Sequence, residues 1–232
     1  QKMTIFVMEL APFGVFALIA WVSGTFGFEA LIPLSKLVAL NYAGCAIILA
    51  IVYPLILRLI ARLPVVDFYR GIIDAQAVAF STASSNAALP VTLRCVERNL
   101  GVSHAVASFT VALGATINMN GTAMYLGVIA LFGAQAYGIE LTAISYALIA
   151  LTATLGAIGA AGVPGSGLVM MSLVLSSIGV PLETIAFVAG INHILDMART
   201  MTNVSGDAVV AVAVGRMSGE IDVEEYVSAD DI

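Results

Sequence analysis

Two long apolar stretches open the chain, residues 3–26 and 31–57. The first is interrupted by Glu9, Pro12 and Gly14, and the second carries only Lys36 as a charged residue, near its start. Each exceeds the roughly 20 residues that a membrane-spanning helix needs. The pattern then changes. Over 66–93 two modest apolar stretches flank the small polar run Ser81-Thr82-Ala83-Ser84-Ser85-Asn86, which ends at Leu89-Pro90. Neither half reads as long enough to cross a bilayer, so this segment is expected to be a re-entrant hairpin, with its non-helical tip against protein or a wet cavity. The stretch 105–133 is long enough to span but breaks at Asn118-Met119-Asn120-Gly121-Thr122. Residues 142–180 repeat the hairpin arrangement around the tip Gly159-Ala160-Ala161-Gly162-Val163-Pro164-Gly165-Ser166-Gly167. A last apolar run, 184–215, carries Asn192, Asp196, Arg199, Thr200, Asn203 and Asp207. Hairpin, interrupted helix, hairpin and polar helix follow in order, and paired Gly/Pro-interrupted segments point to a transporter's binding site.

Composition narrows the class. Of 232 residues 60% are hydrophobic and 10% charged, whereas a soluble domain carries about 25% charge to present a hydrated surface. A soluble domain, a disordered chain, a nucleic-acid binder and a disulfide scaffold are excluded, leaving a multi-pass membrane protein. The formal charge of -6 says little about partners. Glu220, Asp222, Glu224, Glu225, Asp230 and Asp231 account for all of the excess, so the tail reads as a solvated acidic end on a neutral body. Cys45 and Cys95 read as packing residues. The chain starts at Gln1 and enters an apolar run almost at once, as the later part of a longer membrane protein would.

Basic residues suggest the orientation. Arg58, Arg62 and Arg70 precede the first hairpin and Arg94 and Arg98 follow it, which places both of its ends in the cytoplasm. Glu140 and Glu183 flank the second, which then enters from outside. Lys2 and Arg216 fall inside with the C-terminus, Lys36 falls outside, and Arg199 lies within the membrane.

The chemistry concentrates on the last helix. At about 100° per residue, all six of its polar side chains fall within an arc of about 100°. Ionisable groups in a membrane are costly and face a partner or a wet site. A structural pair of Asp196 with Arg199, three residues apart, accounts for two of the six. By type, Arg199 suits a carboxylate, Asp196 an ammonium, Asn203 an α-carboxylate and Asp207 a cation, with unwound backbone at 118–122 supplying carbonyls. An intramembrane aspartyl protease needs two facing carboxylates, and Asp196 and Asp207 share one helix. A serine protease built on Ser166 with His193 or His104 lacks an aspartate in line. With two His and two isolated Cys there is no metal cluster, and no phosphate-binding loop is present.

Ser84-Ser85-Asn86-Ala87-Ala88-Leu89-Pro90, Asn118-Met119-Asn120-Gly121-Thr122, Gly162-Val163-Pro164-Gly165 and the run Asp196 to Asp207 together resemble the dicarboxylate/amino-acid:cation symporters, the glutamate transporters and their prokaryotic homologues. The resemblance covers the chain to about Arg216. It implies an all-α membrane protein of the elevator type, sodium-coupled with or without proton assistance, a homotrimer in the inner cell membrane that binds no nucleic acid. Residues 1–30 would be a scaffold-type spanning helix, 31–216 the transport domain and 217–232 an acidic cytoplasmic tail. Arg199 would hold the substrate's side-chain carboxylate, Asp196 its amino group, and Asn203 with Thr122 its carboxylates, beside Thr200. Ser85 and the tip from Val163 to Gly167 would close over it. One cation would sit among Gly114, Asn118, Asn203 and Asp207, and another near Thr116, Ala157, Ile158 and Ala160. Asn120 stands where the family usually has Asp in a third cation site, and Asn192 where prokaryotic members often have Asp. Both losses argue against three sodium ions. Ala83 and Met197 stand where members often place an Arg.

The expected activity is inward symport of aspartate or glutamate. A C4-dicarboxylate would leave Asp196 unpaired, and a neutral amino acid would leave Arg199 so. A passive anion channel or a non-transporting membrane receptor is the rival from another class.

Overall fold

The computed structural model describes residues 31–228, together with 13, 14, 16, 17, 20 and 24. The expected spanning helix over 1–30 falls almost wholly outside the described residues, as does the tail beyond Ser228. The described chain is helical, and its β-pairing is one isolated antiparallel bridge, Val102 with Ile221.

Helix α1 (Leu31–Ile47) continues through a widened π-helical turn (Ile48–Val52), an α-turn (Tyr53–Ile56) and a second π-turn (Leu57–Ala61). Pro54 explains the first widening, because it brings no N–H to the helix and its ring crowds the turn before it. The Leu49 carbonyl in that turn accepts from the Tyr69 hydroxyl. Ile32, Leu40, Ile47, Ile51, Leu55 and Leu59 are exposed around the helix. Its length and apolar surface suit a membrane crossing, and Ile32–Ala61 and His104–Ala136 both meet that test. The helix runs about one turn beyond the expected Leu57, until Arg62 turns left-handed (φ 56°) ahead of Pro64.

Helix α2 (Val65–Thr82) ends at Ala83, also left-handed (φ 48°). Ser84 then opens α3 (Ser85–Arg94), its Oγ accepting from the Ala87 N–H. Small residues make this reversal possible, and a Ser N-cap restarts the helix. At 18 residues α2 is about 27 Å long, nearer a full crossing than the sequence suggested. Asp67, Arg70, Asp74 and Gln76 keep it from being an apolar span. Helix α4 (His104–Ile117), started by Ser103, and α5 (Asn120–Ala136) are separated at Asn118 and Met119, whose ψ values of 55° and 65° are non-helical. Helix α6 (Ala143–Gly159) begins in a capping box of Thr142 and Ser145. It is joined to α7 (Ser166–Ser177) by a bent, non-helical run in which Gly165 has φ 79°.

The expected single run over 184–215 divides into α8 (Glu183–Ala189) and α9 (Asn192–Ser218). The division falls at Gly190, a weak helix former, and Ile191, whose ψ near -1° leaves the helical path. Of the 27 residues of α9, eighteen are buried, which makes it the central element. It packs on α1, α2, α4 and α5. One apolar cluster gathers the end of α1, α2, α3 and the later half of α9 around Tyr53, Phe68, Ile72 and Val212. A second gathers the start of α1, α5, α6 and α7 around Leu37, Leu126, Ile129 and Met171. Four of the polar residues of α9, Asp196, Arg199, Thr200 and Asn203, lie between Leu195 of the second cluster and Val204 of the first.

The tail is less free than its charge suggested. Glu220, Asp222, Glu224 and Glu225 are exposed, but Asp222 caps a short helix, α10 (Val223–Val227), and Tyr226 is buried with its hydroxyl on the Pro64 carbonyl. The Ser103 N–H donates to the Glu220 carbonyl and the Asp222 N–H to the Gly101 carbonyl. One buried aromatic outweighs the solvation of its acidic neighbours, because they can point outward while it points in.

Candidate functional site

Arg199 is 2% exposed, and its Nη2 donates to Asp196 Oδ1 at 2.5 Å. The structural pair foreseen from the three-residue spacing is therefore present. Thr200 Oγ1 donates to the same Oδ1 at 3.1 Å, and the Gly165 N–H from the second tip donates to Oδ2 at 2.9 Å. The guanidinium lies over the Tyr125 ring, 4.5 Å from its centroid. The Tyr125 hydroxyl donates to Asn192 Oδ1 at 2.8 Å. Arg199 Nη1 is buried and has no hydrogen-bond partner. Leaving a charged donor unmade in a buried site costs more than an ordinary hydrogen bond gains, so this atom marks where an acceptor is required. Gly167 makes room for it, since a Cβ there would stand 2.0 Å from Nη1.

Asn203 is engaged across helices. Its Oδ1 accepts from the Gly121 N–H at 2.8 Å and from the Thr122 N–H at 3.4 Å, and its Nδ2 donates to Thr122 Oγ1 at 3.1 Å. It supplies from another helix the cap that α5 lacks in its own sequence. The two tips meet directly, as the Gly162 carbonyl accepts from Ser84 Oγ at 2.9 Å and from the Asn86 N–H at 3.0 Å.

Seven of the eight residues expected around the substrate border one cavity: Ser85, Thr122, Val163, Asp196, Arg199, Thr200 and Asn203. The eighth, Gly167, lies against Arg199. The cavity measures about 10 Å³, roughly the room for one water. The site is assembled and shut, and admitting an organic molecule requires a tip or Arg199 to move.

The first expected cation set is partly gathered. Asp207 is 2% exposed, and its Oδ1 accepts from Asn118 Nδ2 at 3.0 Å. A Cβ at Gly114 would stand 2.5 Å from that oxygen, so α4 touches α9 there. Asn203, one turn before Asp207, instead turns its side chain to α5. Asn120 donates to Asn118 Oδ1 at 3.1 Å and to the Tyr53 hydroxyl at 3.2 Å. The second set is looser. Ala157 and Ala160 are buried around Met119, Ile158 is exposed, and the Thr116 hydroxyl bonds back to the Leu113 carbonyl. The contact in that region runs through neighbours, with the Ala115 carbonyl 2.9 Å from the Cβ position of Gly162.

Sequence reasoning passed over Tyr125 and Tyr53. Tyr125 had a signal, since it stands three residues after Thr122 on the same face of α5. Tyr53 had none, as an aromatic in an apolar helix reads as core. The protease readings gain nothing from the fold. Asp196 and Asp207 are held by separate partners, and His104 is exposed and paired with Glu97 at 2.8 Å. Cys45 and Cys95 are buried free thiols.

Helices interrupted at one buried, charged centre, in a chain with so apolar a surface, are the arrangement found at the binding sites of secondary transporters. Residues 1–217 match the sodium:dicarboxylate symporter family, and the chain belongs to it. It is 39% identical over 213 residues to a proton/sodium-glutamate symport protein of Bacillus subtilis, covering 92% of this chain and 49% of that one. It is 39% identical over 221 residues to a proton/glutamate-aspartate symporter of Escherichia coli, covering 95% and 50%. To an excitatory amino acid transporter of Caenorhabditis elegans it is 39% identical over 234 residues, covering 99% and 46%. The family and the two bacterial relatives are named for symport and the nematode relative for transport, none of them as an enzyme, and membership makes this an integral membrane protein. The chain spans about half the length of these relatives.

Proposed function

We propose that the protein moves an acidic amino acid, aspartate or glutamate, inward together with sodium ions. The observation that carries this reading is the unpartnered Arg199 Nη1, buried on Tyr125 beside the shut cavity. A substrate carboxylate is the acceptor it lacks, because a planar guanidinium matches that group in shape and charge. Asp196 is then freed for the ammonium. Three relatives named for glutamate, aspartate or excitatory amino acids support the same chemistry.

Charge balance supports sodium coupling. Arg199 and Asp196 cancel, Asp207 adds one negative charge and an acidic amino acid another. Two sodium ions would neutralise the remainder in a medium where unbalanced charge is costly. Asn118, Asp207 and Gly114 form the firmer of the two cation sets, with Asn203 joining only if its side chain turns. Asn120 and Asn192, being neutral, call for no third ion. Proton coupling is the alternative counter-charge, in line with the names of the bacterial relatives.

A C4-dicarboxylate is the second reading, and one observation favours it. Asp196 already accepts from Arg199, Thr200 and Gly165, so an amine is not needed to satisfy it. A dicarboxylate brings one more negative charge, however, and with it a need for a further cation. A neutral amino acid would leave Arg199 Nη1 as it is.

In this reading the pairs α2–α3 and α6–α7 are re-entrant hairpins, entering from the cytoplasm and from outside. Residues 31–216 form a transport domain that moves as an elevator against a scaffold beginning in 1–30. The full protein is a trimer in the inner membrane with residues 217–232 in the cytoplasm. The test is aspartate binding to the full-length protein against sodium concentration, with succinate as competitor. We expect binding that needs sodium with a Hill slope of about two, by the charge balance, and weak competition. Sodium-independent binding would refute the coupling, and succinate binding as tight as aspartate would move the assignment to dicarboxylates. Sodium-driven accumulation in proteoliposomes separates a carrier from an anion channel or a receptor.

A further inference from the structure

We propose that Tyr53 is the pivot of a reversible hydrogen-bond chain that ties cation occupancy at Asp207 to the contact between α1 and α9. The proposal rests on reading Asp207 and Asn118 as a cation site.

In the structure the chain diverges from Asn120. The Tyr53 hydroxyl donates to the Thr202 carbonyl of α9 at 3.0 Å and accepts from Asn120 Nδ2 at 3.2 Å. Asn120 Nδ2 also donates to Asn118 Oδ1 at 3.1 Å, and Asn118 Nδ2 donates to Asp207 Oδ1 at 3.0 Å. Asn120 thus donates to both sides, one arm ending on the Thr202 carbonyl and the other on the Asp207 carboxylate. Tyr53 reaches the α9 backbone only because residue 206 is glycine, where a Cβ would stand 2.4 Å from the hydroxyl.

A cation drawn to Asp207 Oδ1 meets the hydrogens of Asn118 Nδ2 first, and like partial charges repel. The amide must turn, putting Oδ1 toward the cation and Nδ2 toward Asn120. That would set two donors face to face unless Asn120 turns as well. Its exposed outer side leaves it room. Asn120 Oδ1 then faces both Asn118 Nδ2 and Tyr53. A hydroxyl can donate or accept, so the Tyr53 proton rotates from the Thr202 carbonyl to Asn120 Oδ1. Each remaining link keeps a partner, while the tie between α1 and the α9 backbone is released. An aspartate at position 120, with acceptors only, could not take the direction seen here.

Tyr53 makes two hydrogen bonds in the direction seen and one in the reversed direction. It therefore holds the cation-free arrangement, as a positioning residue that touches neither cation nor substrate. Removing its hydroxyl should tighten sodium binding, whereas a residue that merely supports a cation site weakens it when lost.

The experiment is sodium titration of the full-length protein, read as sodium-induced thermal stabilisation, in wild type, Tyr53→Phe, Asn120→Ala and the double variant. One net hydrogen bond corresponds to about fivefold. We expect Tyr53→Phe to lower the sodium dissociation constant by about that factor while aspartate affinity at saturating sodium stays unchanged. Asn120→Ala removes the donor clash and should also tighten sodium. In its background Tyr53→Phe should have no further effect, because the link between the two is gone. Weaker or unchanged sodium binding in Tyr53→Phe overturns the proposal, as does an equal Tyr53 effect in the Asn120→Ala background. Should Tyr53→Phe fold poorly, Asn120→Ala alone decides by the same sign. A wild-type protein indifferent to sodium overturns the cation-site reading, and the chain with it.

Discussion

Gly167 has no side chain, yet it decides where the central charge of the site can sit. A methyl group at this position would stand 2.0 Å from Arg199 Nη1, with Tyr125 and Asp196 closing the other sides. Gly167→Ala should therefore expel the guanidinium, weakening aspartate binding at saturating sodium nearly as much as Arg199→Ala does. The loss is about 2 kcal/mol or more, the order found when one partner of a buried charge pair is removed. Calorimetric titration of both variants checks it, and near-normal affinity in Gly167→Ala would show that Arg199 has room the structure denies it. At this scale the ionisable residues were legible in the sequence, because a charge in an apolar run is conspicuous. Their partners were not. Tyr125, Tyr53 and the Gly162 carbonyl are ordinary residues that matter only through contacts across 40 or more positions in the chain.

Among the elements, the interruptions were legible and the ends were not. Ser84, the 118–122 break and the glycines of the second tip carry local backbone preferences that a sequence displays. The extension of α1 to Ala61 and the division at Gly190 depend on packing. The docked tail was missed for the same reason, since one tyrosine decides it among many acids. Burial pushes the Tyr226 hydroxyl well above the ordinary tyrosine range, and the nearby charge of Asp67 adds to it. Folding thus favours the neutral phenol. The stabilisation it brings is complete below about pH 10, the unfolded value, and is lost as the pH rises from there toward the folded value. Tyr226→Phe should lose about 1 kcal/mol at neutral pH, with the bond to Pro64, and should show less alkaline destabilisation over that window. Melting temperatures of both proteins between pH 8 and 11.5 test this, and parallel curves would rule out Tyr226 as the titrating group.

For the whole molecule, the order of its parts was legible from sequence, because an apolar chain with three interruptions and one polar helix has few ways to satisfy its backbone in a membrane. That the site would be closed was not legible, since closure is a matter of a few ångströms between tips some 80 residues apart. The Gly162 carbonyl, which takes hydrogen bonds from both Ser84 and Asn86, gives opening a cost. At about 1 kcal/mol each, the two bonds by themselves would weigh against opening by about thirtyfold. A ligand that enters only the open form then shows an affinity weaker by the same factor. Ser84→Ala should accordingly bind aspartate more tightly than wild type, although losing the α3 cap makes it melt earlier by about 1 kcal/mol. An equilibrium titration that found its affinity lowered along with its stability would contradict this. One carbonyl oxygen thus sets a toll on entry, and under the proposed function binding strength would depend on how rarely the site is ajar as well as on how well it fits what enters.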